Sequence, residues 1–177
     1  MAWFKKARKR MESATAEKPS RVPEGLWVKC PGCGQILYNK DLENNLNVCP
    51  KCAHHFRISA KERLQVLFDE GVWTEHHVQL ASNDPLHFTD TKAYRDRLRA
   101  TEDAIKMKDA VVVATGRLDS IDVVVAAMEY AFIGGSMGVV VGEKITRAVE
   151  MALEHKQPLI VVSCSGGARM MEGVLSL

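Results

Sequence analysis

Residues 30–52 have the sequence CPGCGQILYNKDLENNLNVCPKC, which begins and ends with a Cys-x-x-Cys pair. Fifteen residues separate the two pairs, a spacing typical of zinc ribbons with four cysteine ligands. The thiolates complete a tetrahedral shell and leave no position open for a substrate, so the zinc is expected to be structural. His54 and His55 are near enough to compete, but the cysteines already complete the shell. The predicted ligands are Cys30, Cys33, Cys49 and Cys52.

The overall composition is that of a soluble globular protein. The chain has 177 residues, of which 46% are hydrophobic and 26% charged, and this balance argues against a disordered chain. It has no apolar run of about eighteen residues and no apolar core of a secretory signal, so no membrane association is predicted. Because the fifth cysteine, Cys164, lies far from the paired ones, cysteine usage favours a reducing, cytoplasmic compartment.

Positive charge is concentrated at the beginning of the chain. The first ten residues contain five bases and no acid, whereas the rest has more acids than bases. Short charged termini are commonly disordered, so residues 1–24 are predicted to form a disordered basic tail. The functional alternative is contact with nucleic acid or with an acidic partner surface. The five bases are Lys5, Lys6, Arg8, Lys9 and Arg10.

Pattern and composition divide the rest of the chain into three segments. The zinc ribbon is expected at 25–58, a helical connector at 59–108 and an α/β domain at 109–177. In the ribbon, short strands are predicted at 35–38, 46–48 and 56–58.

The connector is expected to contain two helices. Ser59 and Glu62 match a capping box at the start of the first helix, and Gly71 suits its end. Residues 72–89 are predicted to be irregular because Asn83-Asp84-Pro85 is a turn signal. The second helix is predicted at 91–106.

Residues 109–177 show the order strand–strand–helix–strand–helix. Strands at 110–118 and 122–131 are predicted to form an antiparallel hairpin. A flexible glycine loop at 134–138, a helix up to His155, a strand at 159–163 and a helix from Ala168 are expected to follow. A sheet of roughly three strands is small and leaves an open edge, so the domain is expected to be incomplete.

The segment with the most evident chemistry is VVSCSGGARM at 161–170. A buried strand there leads through Gly166 and Gly167 to a predicted helix N-terminus, where backbone N–H groups carry partial positive charge. Glycine lets a reacting group approach the backbone closely. The N–H groups of Gly166 and Gly167 are therefore candidate donors of an oxyanion hole.

Other roles for these glycines stay open. Glycine at a strand–helix turn often serves packing alone. A nucleophile at Ser163, Cys164 or Ser165 would not match the Gly-x-Ser-x-Gly elbow, and no histidine base is indicated. The segment 134–138 lacks the lysine pattern of a phosphate-binding loop, which favours a simple turn between strand and helix.

Three motifs occur in one order: the paired cysteine knuckles, AAMEYAFIGGSMG at 126–138 and SGGARM at 165–170. In this combination the chain, from about Gly25 onward, resembles the β subunits of bacterial-type acetyl-CoA carboxylase carboxyltransferase. The resemblance implies a zinc ribbon followed by a crotonase-like superhelix of β-β-α units. Members of that family continue beyond the position of Leu177. The chain is therefore expected to lack a C-terminal half, as a fragment or a degenerate copy.

The resemblance also implies an activity. A carboxyl group would pass from carboxybiotin, the co-substrate on a biotin carboxyl carrier protein, to acetyl-CoA, giving malonyl-CoA for fatty-acid synthesis. The backbone N–H groups of Gly166 and Gly167, helped by Ala168, would stabilise the thioester enolate, and the biotin ureido group would be the base. Arg169 is expected to be structural. An α subunit would bind the carboxybiotin side in an α2β2 heterotetramer.

Two competing hypotheses come from other classes of protein. The basic tail and the bases near the ribbon favour a zinc module that binds messenger RNA or DNA. The open sheet edge favours an inactive scaffold that docks on an α-type partner. The bases near the ribbon are Lys29, Lys40, Lys51 and Arg57.

Overall fold

A computed structural model of the protein describes residues 25–176. The chain divides between His55 and Phe56 into two compact units, so the boundary lies three residues before the expected end of the ribbon. The predicted basic tail, 1–24, lies outside the described residues. None of the helices at 25–176 is long and apolar enough to cross a membrane.

The N-terminal unit is a short hairpin followed by a helix and a second tight turn. Strand β1 (Trp27–Lys29) pairs antiparallel with β2 (Ile36–Tyr38), and helix α1 (Asn39–Asn44) follows directly. An isolated bridge between Val48 and His55 closes the second turn. Each Cys-x-x-Cys pair therefore lies in a turn whose ends are held by strand-type pairing.

Two of the three strands predicted in the ribbon are wrong. At 46–48, Leu46 and Asn47 have φ of 53° and 59°, in the left-handed region, where a strand cannot continue. Residues 56–58 form no strand. Strand β1 was missed because three residues are too few to show a period of two.

The C-terminal unit is built on a four-stranded sheet with the order β3-β4-β5-β6. Strands β4 (Val111–Leu118) and β5 (Ile121–Met128) form the predicted antiparallel hairpin in full register. Asp119 and Ser120 connect them with φ of 51° and 67°, the conformation of a tight hairpin turn. Strand β6 (Leu159–Val162) runs parallel to β5, as a helical crossover requires.

Strand β3 (Trp73–His76) corrects the prediction that residues 72–89 are irregular. It pairs antiparallel with β4, from Trp73 opposite Gly116 to His76 opposite Val113. A four-residue strand has too little alternation for its own sequence to predict it, and pairing with β4 determines its conformation. The segment 59–108, expected to be a helical connector, therefore also contributes a strand to the sheet.

Helices cover both faces of the sheet. Helix α2 (Ala60–Leu67) packs on one face, and α3 (Tyr94–Ile105) and α4 (Val139–His155) pack on the other. Successive residues of β4 and β5 alternate between the two cores, so half of β4 and most of β5 are buried. The capping box is confirmed, since Ser59 Oγ accepts from Glu62 N at 3.2 Å and Ser59 N donates to Glu62 Oε2 at 2.7 Å.

The helix predicted from Ala168 is also a correction. Residues Met170–Ser176 form 3₁₀ turns and not an α-helix. Gly173 interrupts them with φ of 56° and ψ of −137°, and Ser176 Oγ donates back to Gly173 O at 2.8 Å. A residue with that backbone conformation cannot continue an α-helix.

Candidate functional site

The four predicted metal ligands converge. Their Sγ atoms all lie within 4.8 Å of one another, with Cys30 at 3.7 Å from Cys52 and Cys33 at 3.8 Å from Cys49. Zinc–sulfur bonds of about 2.3 Å at tetrahedral angles place neighbouring sulfur atoms about 3.8 Å apart. The cysteines thus fit a zinc ion as they stand. Among residues 25–176 they form the one such cluster, and neither His54 nor His55 belongs to it.

The pKa values of Cys49 and Cys52 are shifted in opposite directions. Burial opposes ionisation of Cys49, but hydrogen bonds from the backbone N–H groups of Lys51 and Cys52 outweigh it and lower the pKa of Cys49 to about 7. The backbone N–H of His54 favours the thiolate of Cys52, yet burial and the neighbouring thiols raise the pKa of Cys52 to about 12. A bound divalent cation favours the deprotonated form of the thiols that ligate it.

In the C-terminal unit, two glycine-rich turns are hydrogen-bonded to each other. The first turn comprises residues 132–138, and the second turn residues 164–168. Gly166 N donates to Gly134 O at 2.9 Å, and Met137 N donates to Gly167 O at 2.9 Å. Arg169 N donates to Met137 O at 2.7 Å, which completes a parallel bridge. The segment 134–138, predicted to be a flexible loop, is thus held by hydrogen bonds to the turn that contains the candidate oxyanion donors.

Gly135 lies where the two turns approach most closely. Its φ is 64°, and a Cβ on it would lie 2.1 Å from Cys164 O. Both features require glycine at this position. The contact explains the glycine at 135 without any bound phosphate.

Both candidate oxyanion donors already have acceptors within the chain. The Gly166 N–H is bonded to the carbonyl of Gly134, and Gly167 N donates to Ser165 Oγ at 3.0 Å. Ser165 is exposed, and its hydroxyl can rotate away, whereas the bond of Gly166 joins two backbone segments. A Cβ on Gly167 would meet nothing within 4 Å, so space is open beside it. The hydrogen bond of Gly167 N is therefore the easier of the two to replace.

Two of the three alternative nucleophiles, Ser165 and Cys164, have structural roles in this arrangement. The hydroxyl of Ser165 accepts from the backbone of its own turn, the pattern of a serine turn. The side chain of Cys164 packs against the apolar core beneath the sheet. Ser163 is exposed at the end of β6.

A buried ion-pair network lies behind the turns, centred on Arg169. Its Nη1 and Nη2 donate to the two carboxylate oxygens of Asp109 at 2.9 and 2.7 Å, and Nη1 lies 3.3 Å from Glu172 Oε1. Tyr94 Oη donates to Glu172 Oε1 at 2.5 Å, and Ser82 Oγ donates to the same oxygen at 2.7 Å. The structural role expected for Arg169 is thus supported by its partners.

The charges in this network stabilise one another. Burial would raise the pKa of Glu172, but hydrogen bonds from Ser82, Tyr94 and the N–H of Val139, with the charge of Arg169, hold it below its usual value. Burial opposes the charge of Arg169 too, yet the adjoining Asp109 carboxylate raises its pKa above the usual value. Burial is the main reason why the pKa of Tyr94 is raised.

Sequence reasoning missed the partners of Arg169 and also Glu129. The carboxylate of Glu129 accepts from Ala60 N at 2.8 Å and from Ala131 N at 2.9 Å, so it joins the start of α2 to the end of β5. A usable signal was present at two positions. Asp109 and Glu129 each directly flank an apolar run, residues 110–114 and 123–128, where an acid is buried at a cost unless it has partners.

Comparisons with known proteins agree with this architecture. Residues 27–52 match the acetyl-CoA carboxylase zinc finger domain, and residues 57–177 match the carboxyl transferase domain. Over 177 residues, all of this chain, it is 50% identical to the acetyl-coenzyme A carboxylase carboxyl transferase subunit beta of Citrifermentans bemidjiense. It is 49% identical to the subunit of the same name from Pelobacter propionicus. The chain spans 62% of the length of each of these relatives.

A solved structure supports the fold. Transcarboxylase 12S, crystallised with methylmalonyl-coenzyme A and methylmalonic acid bound, is 28% identical and superimposes with a TM-score of 0.52, over 68% of this chain and 21% of that one. The expected class, a zinc ribbon followed by a crotonase-like α/β domain, is confirmed. With more than half of its residues matched by the family, the chain belongs to the carboxyl transferase domain family and also contains the zinc finger domain of acetyl-CoA carboxylase.

Proposed function

We propose that this chain provides the acyl-CoA side of an acetyl-CoA carboxylase carboxyltransferase. In the proposed reaction a carboxyl group passes from carboxybiotin, held on a biotin carboxyl carrier protein, to the methyl carbon of acetyl-CoA, giving malonyl-CoA for fatty-acid synthesis. The observation that carries the proposal is the match of residues 57–177 to the carboxyl transferase domain, which includes both joined glycine turns.

The chemistry of acetyl-CoA accounts for the glycine turn. A thioester α-proton is weakly acidic, so the enolate that forms when it leaves needs preorganised donors at its oxygen. Gly167 supplies an N–H whose present acceptor, the hydroxyl of Ser165, can rotate off it. Gly166 supplies a second N–H, which the enolate oxygen would share with the carbonyl of Gly134. We assign these two glycines to enolate stabilisation, with Ala168 beside them.

The zinc ion is assigned a structural role. Four cysteines use all four tetrahedral positions and leave none for an acyl-CoA or a carboxyl group. The small N-terminal unit has Leu37 and Leu42 as its buried aliphatic side chains among the described residues, so the metal contributes much of its folding energy.

The proposed reaction requires partners. Carboxybiotin is the co-substrate, and its carrier protein must reach the site together with an α subunit, in an α2β2 assembly. A cytoplasmic location follows from the cysteine usage of the chain.

The proposal is tested by running the reaction in reverse. The purified chain is mixed with an α subunit of the family, malonyl-CoA and a free biotin derivative, and acetyl-CoA formation is followed. Acetyl-CoA above the amount formed by the α subunit alone supports the proposal. No formation, from a zinc-loaded and folded chain, contradicts it, and retained binding to the α subunit would then favour a scaffold.

A matched pair of variants tests the assigned donors. Gly167→Ala keeps the backbone N–H, but its side chain disfavours the φ of 122° that directs this donor, whereas Gly142→Ala lies on the open side of α4. Loss of one oxyanion donor typically costs about 10²–10³ in rate. We expect a loss of that order for Gly167→Ala and none for Gly142→Ala, and equal rates would remove Gly167 from the site.

A second function is favoured by the surface of the N-terminal unit. Trp27 is 56% exposed beside Tyr38, with ring centroids 5.2 Å apart, and Lys29, Lys40 and Lys51 are exposed in the same unit. Aromatic side chains among bases suit single-stranded nucleic acid. Binding of an RNA oligonucleotide that weakens steeply with salt would support this function, and no binding at low salt would exclude it.

A further inference from the structure

The guanidinium of Arg169 is bonded to the first glycine turn, although Arg169 itself follows the second. Nη2 donates to Ser136 O at 2.8 Å, and Nε donates to Ser136 Oγ at 3.1 Å. The backbone N–H of the same residue donates to Met137 O at 2.7 Å. One residue therefore holds consecutive positions of the first turn through its side chain and its main chain at once.

The guanidinium is itself held from behind. Asp109, at the start of β4, accepts from both Nη1 and Nη2, so the planar group has one orientation. Both side chains have no solvent exposure. A guanidinium in that position cannot follow a moving turn, and it fixes Ser136 relative to the sheet.

Glu172 extends the same contact to the beginning of α4. Its Oε2 accepts from Val139 N at 2.6 Å, where the helix starts. A Cβ on Gly138 would lie 2.6 Å from Glu172 Oε2 and 2.9 Å from Arg169 Nη1, so this glycine is needed to admit the pair. The first turn is thus fixed at Ser136 and at Val139 by two side chains of the segment that follows the second turn.

We propose that Arg169 is a positioning residue: by fixing Ser136 and Met137 against Gly166 and Gly167, it sets the separation of the two turns and the direction of the Gly166 and Gly167 N–H groups. The effect of Arg169 on catalysis rests on the proposed function, whereas its role in fixing the two turns does not. Arg169 touches no reacting atom in this scheme.

The first test measures the turns directly by amide hydrogen exchange of the full chain. In Arg169→Lys the charge is kept, but an ammonium cannot make the paired contacts to Asp109 and reach Ser136 as well. We expect the amides of Met137 and Gly166 to exchange about tenfold faster, a larger acceleration than at the amides of β4 and β5. Unchanged exchange at Met137 and Gly166, or an equal acceleration in β4 and β5, would overturn the proposal.

Arg147→Lys is the matched control. Arg147 lies on α4 in an ion pair with Glu143 in which both side chains are more than 40% exposed. The same replacement there should leave all four sets of amides unchanged. If Arg169→Lys does not fold, Ser136→Ala removes only the acceptor of Nε, and it must accelerate Met137 and Gly166 by about threefold. Failure of that variant to do so also overturns the proposal.

The second test uses the assembled enzyme and separates kcat from KM. Misdirected N–H donors weaken the transition state more than the bound substrate, so Arg169→Lys should lower kcat per folded chain by about tenfold or more. The KM for malonyl-CoA should stay within about threefold. An unchanged kcat in the presence of faster exchange at the turns would overturn the positioning role.

The two tests separate this inference from the proposed function. If the unaltered chain with its α subunit forms no acetyl-CoA, the proposed function fails, while the exchange measurements still decide whether Arg169 fixes the turns. If the unaltered chain is active and Arg169→Lys has the same exchange rates and the same kcat as Arg147→Lys, the proposed function stands and the positioning role of Arg169 is wrong.

Discussion

Arg169 Nη2 lies 2.7 Å from Asp109 Oδ1 in an ion pair that is closed to solvent, although the two residues are 60 positions apart. Removing one partner of such a pair leaves the other charge buried and uncompensated. We expect Asp109→Ala to lower the free energy of unfolding by about 3–5 kcal/mol, measured by urea denaturation.

The control for this variant is Asp103→Ala. Asp103 is exposed on α3, and its replacement should change the free energy of unfolding by no more than about 0.5 kcal/mol. If the two substitutions changed the free energy of unfolding equally, the buried ion pair would stabilise the protein no more than an exposed aspartate does.

Zinc removal should unfold one unit and spare the other. Because the N-terminal unit has a small core and depends on four thiolates, a chelator should abolish its amide protection. Amides of β4 and β5 should keep theirs, since their core contains no metal ligand. Cys33→Ser should lose zinc and Cys164→Ser should retain it, as measured by metal analysis. Loss of protection in both units would refute this independence.

The sequence was sufficient to predict those features that are determined by interactions between residues close together in the chain. The cysteine ligands were predicted because two knuckles place two donors each within four residues, and the Ser59–Glu62 capping box is confined to a single helical turn. Strand β3 was missed because Trp73–His76 is extended only through its pairing with β4, about forty residues later. Non-local pairing leaves no periodic signal in so short a segment.

The same distinction applies to the candidate site. SGGARM indicated a turn with exposed N–H groups, but not that Gly134 accepts from one of them. Nor could spacing show that Asp109 neutralises Arg169 and that Tyr94 accepts a hydrogen bond from it, because those contacts depend on how α3 and β4 pack. A buried charge could be suspected from Asp109 beside an apolar strand, but its partner could not be named.

Gly135→Ala should be among the most destabilising glycine substitutions. Its φ of 64° disfavours any side chain, and the new Cβ would lie 2.1 Å from Cys164 O, which belongs to backbone and cannot rotate away. We expect a loss of about 2 kcal/mol or more in the free energy of unfolding, measured by urea denaturation. Gly142→Ala, in α4 with open space around it, should instead stabilise the protein by about 1 kcal/mol. Similar losses at both positions would contradict the close approach of the two turns.

Ionisation of Asp69 should make the free energy of unfolding depend on pH in the acidic range. Its two carboxylate oxygens accept from Asp119 N at 2.9 Å and Ser120 N at 2.8 Å, and these hydrogen bonds lower the pKa of Asp69. A carboxyl group with a lower pKa in the folded state adds stability above its unfolded pKa of about 3.9, and this is lost as the pH falls through the folded value. Asp69→Asn should therefore be less stable than the unaltered chain at pH 7, and the difference should shrink below about pH 4. A pH-independent deficit in Asp69→Asn would show that ionisation of Asp69 is not what fixes the β4–β5 turn.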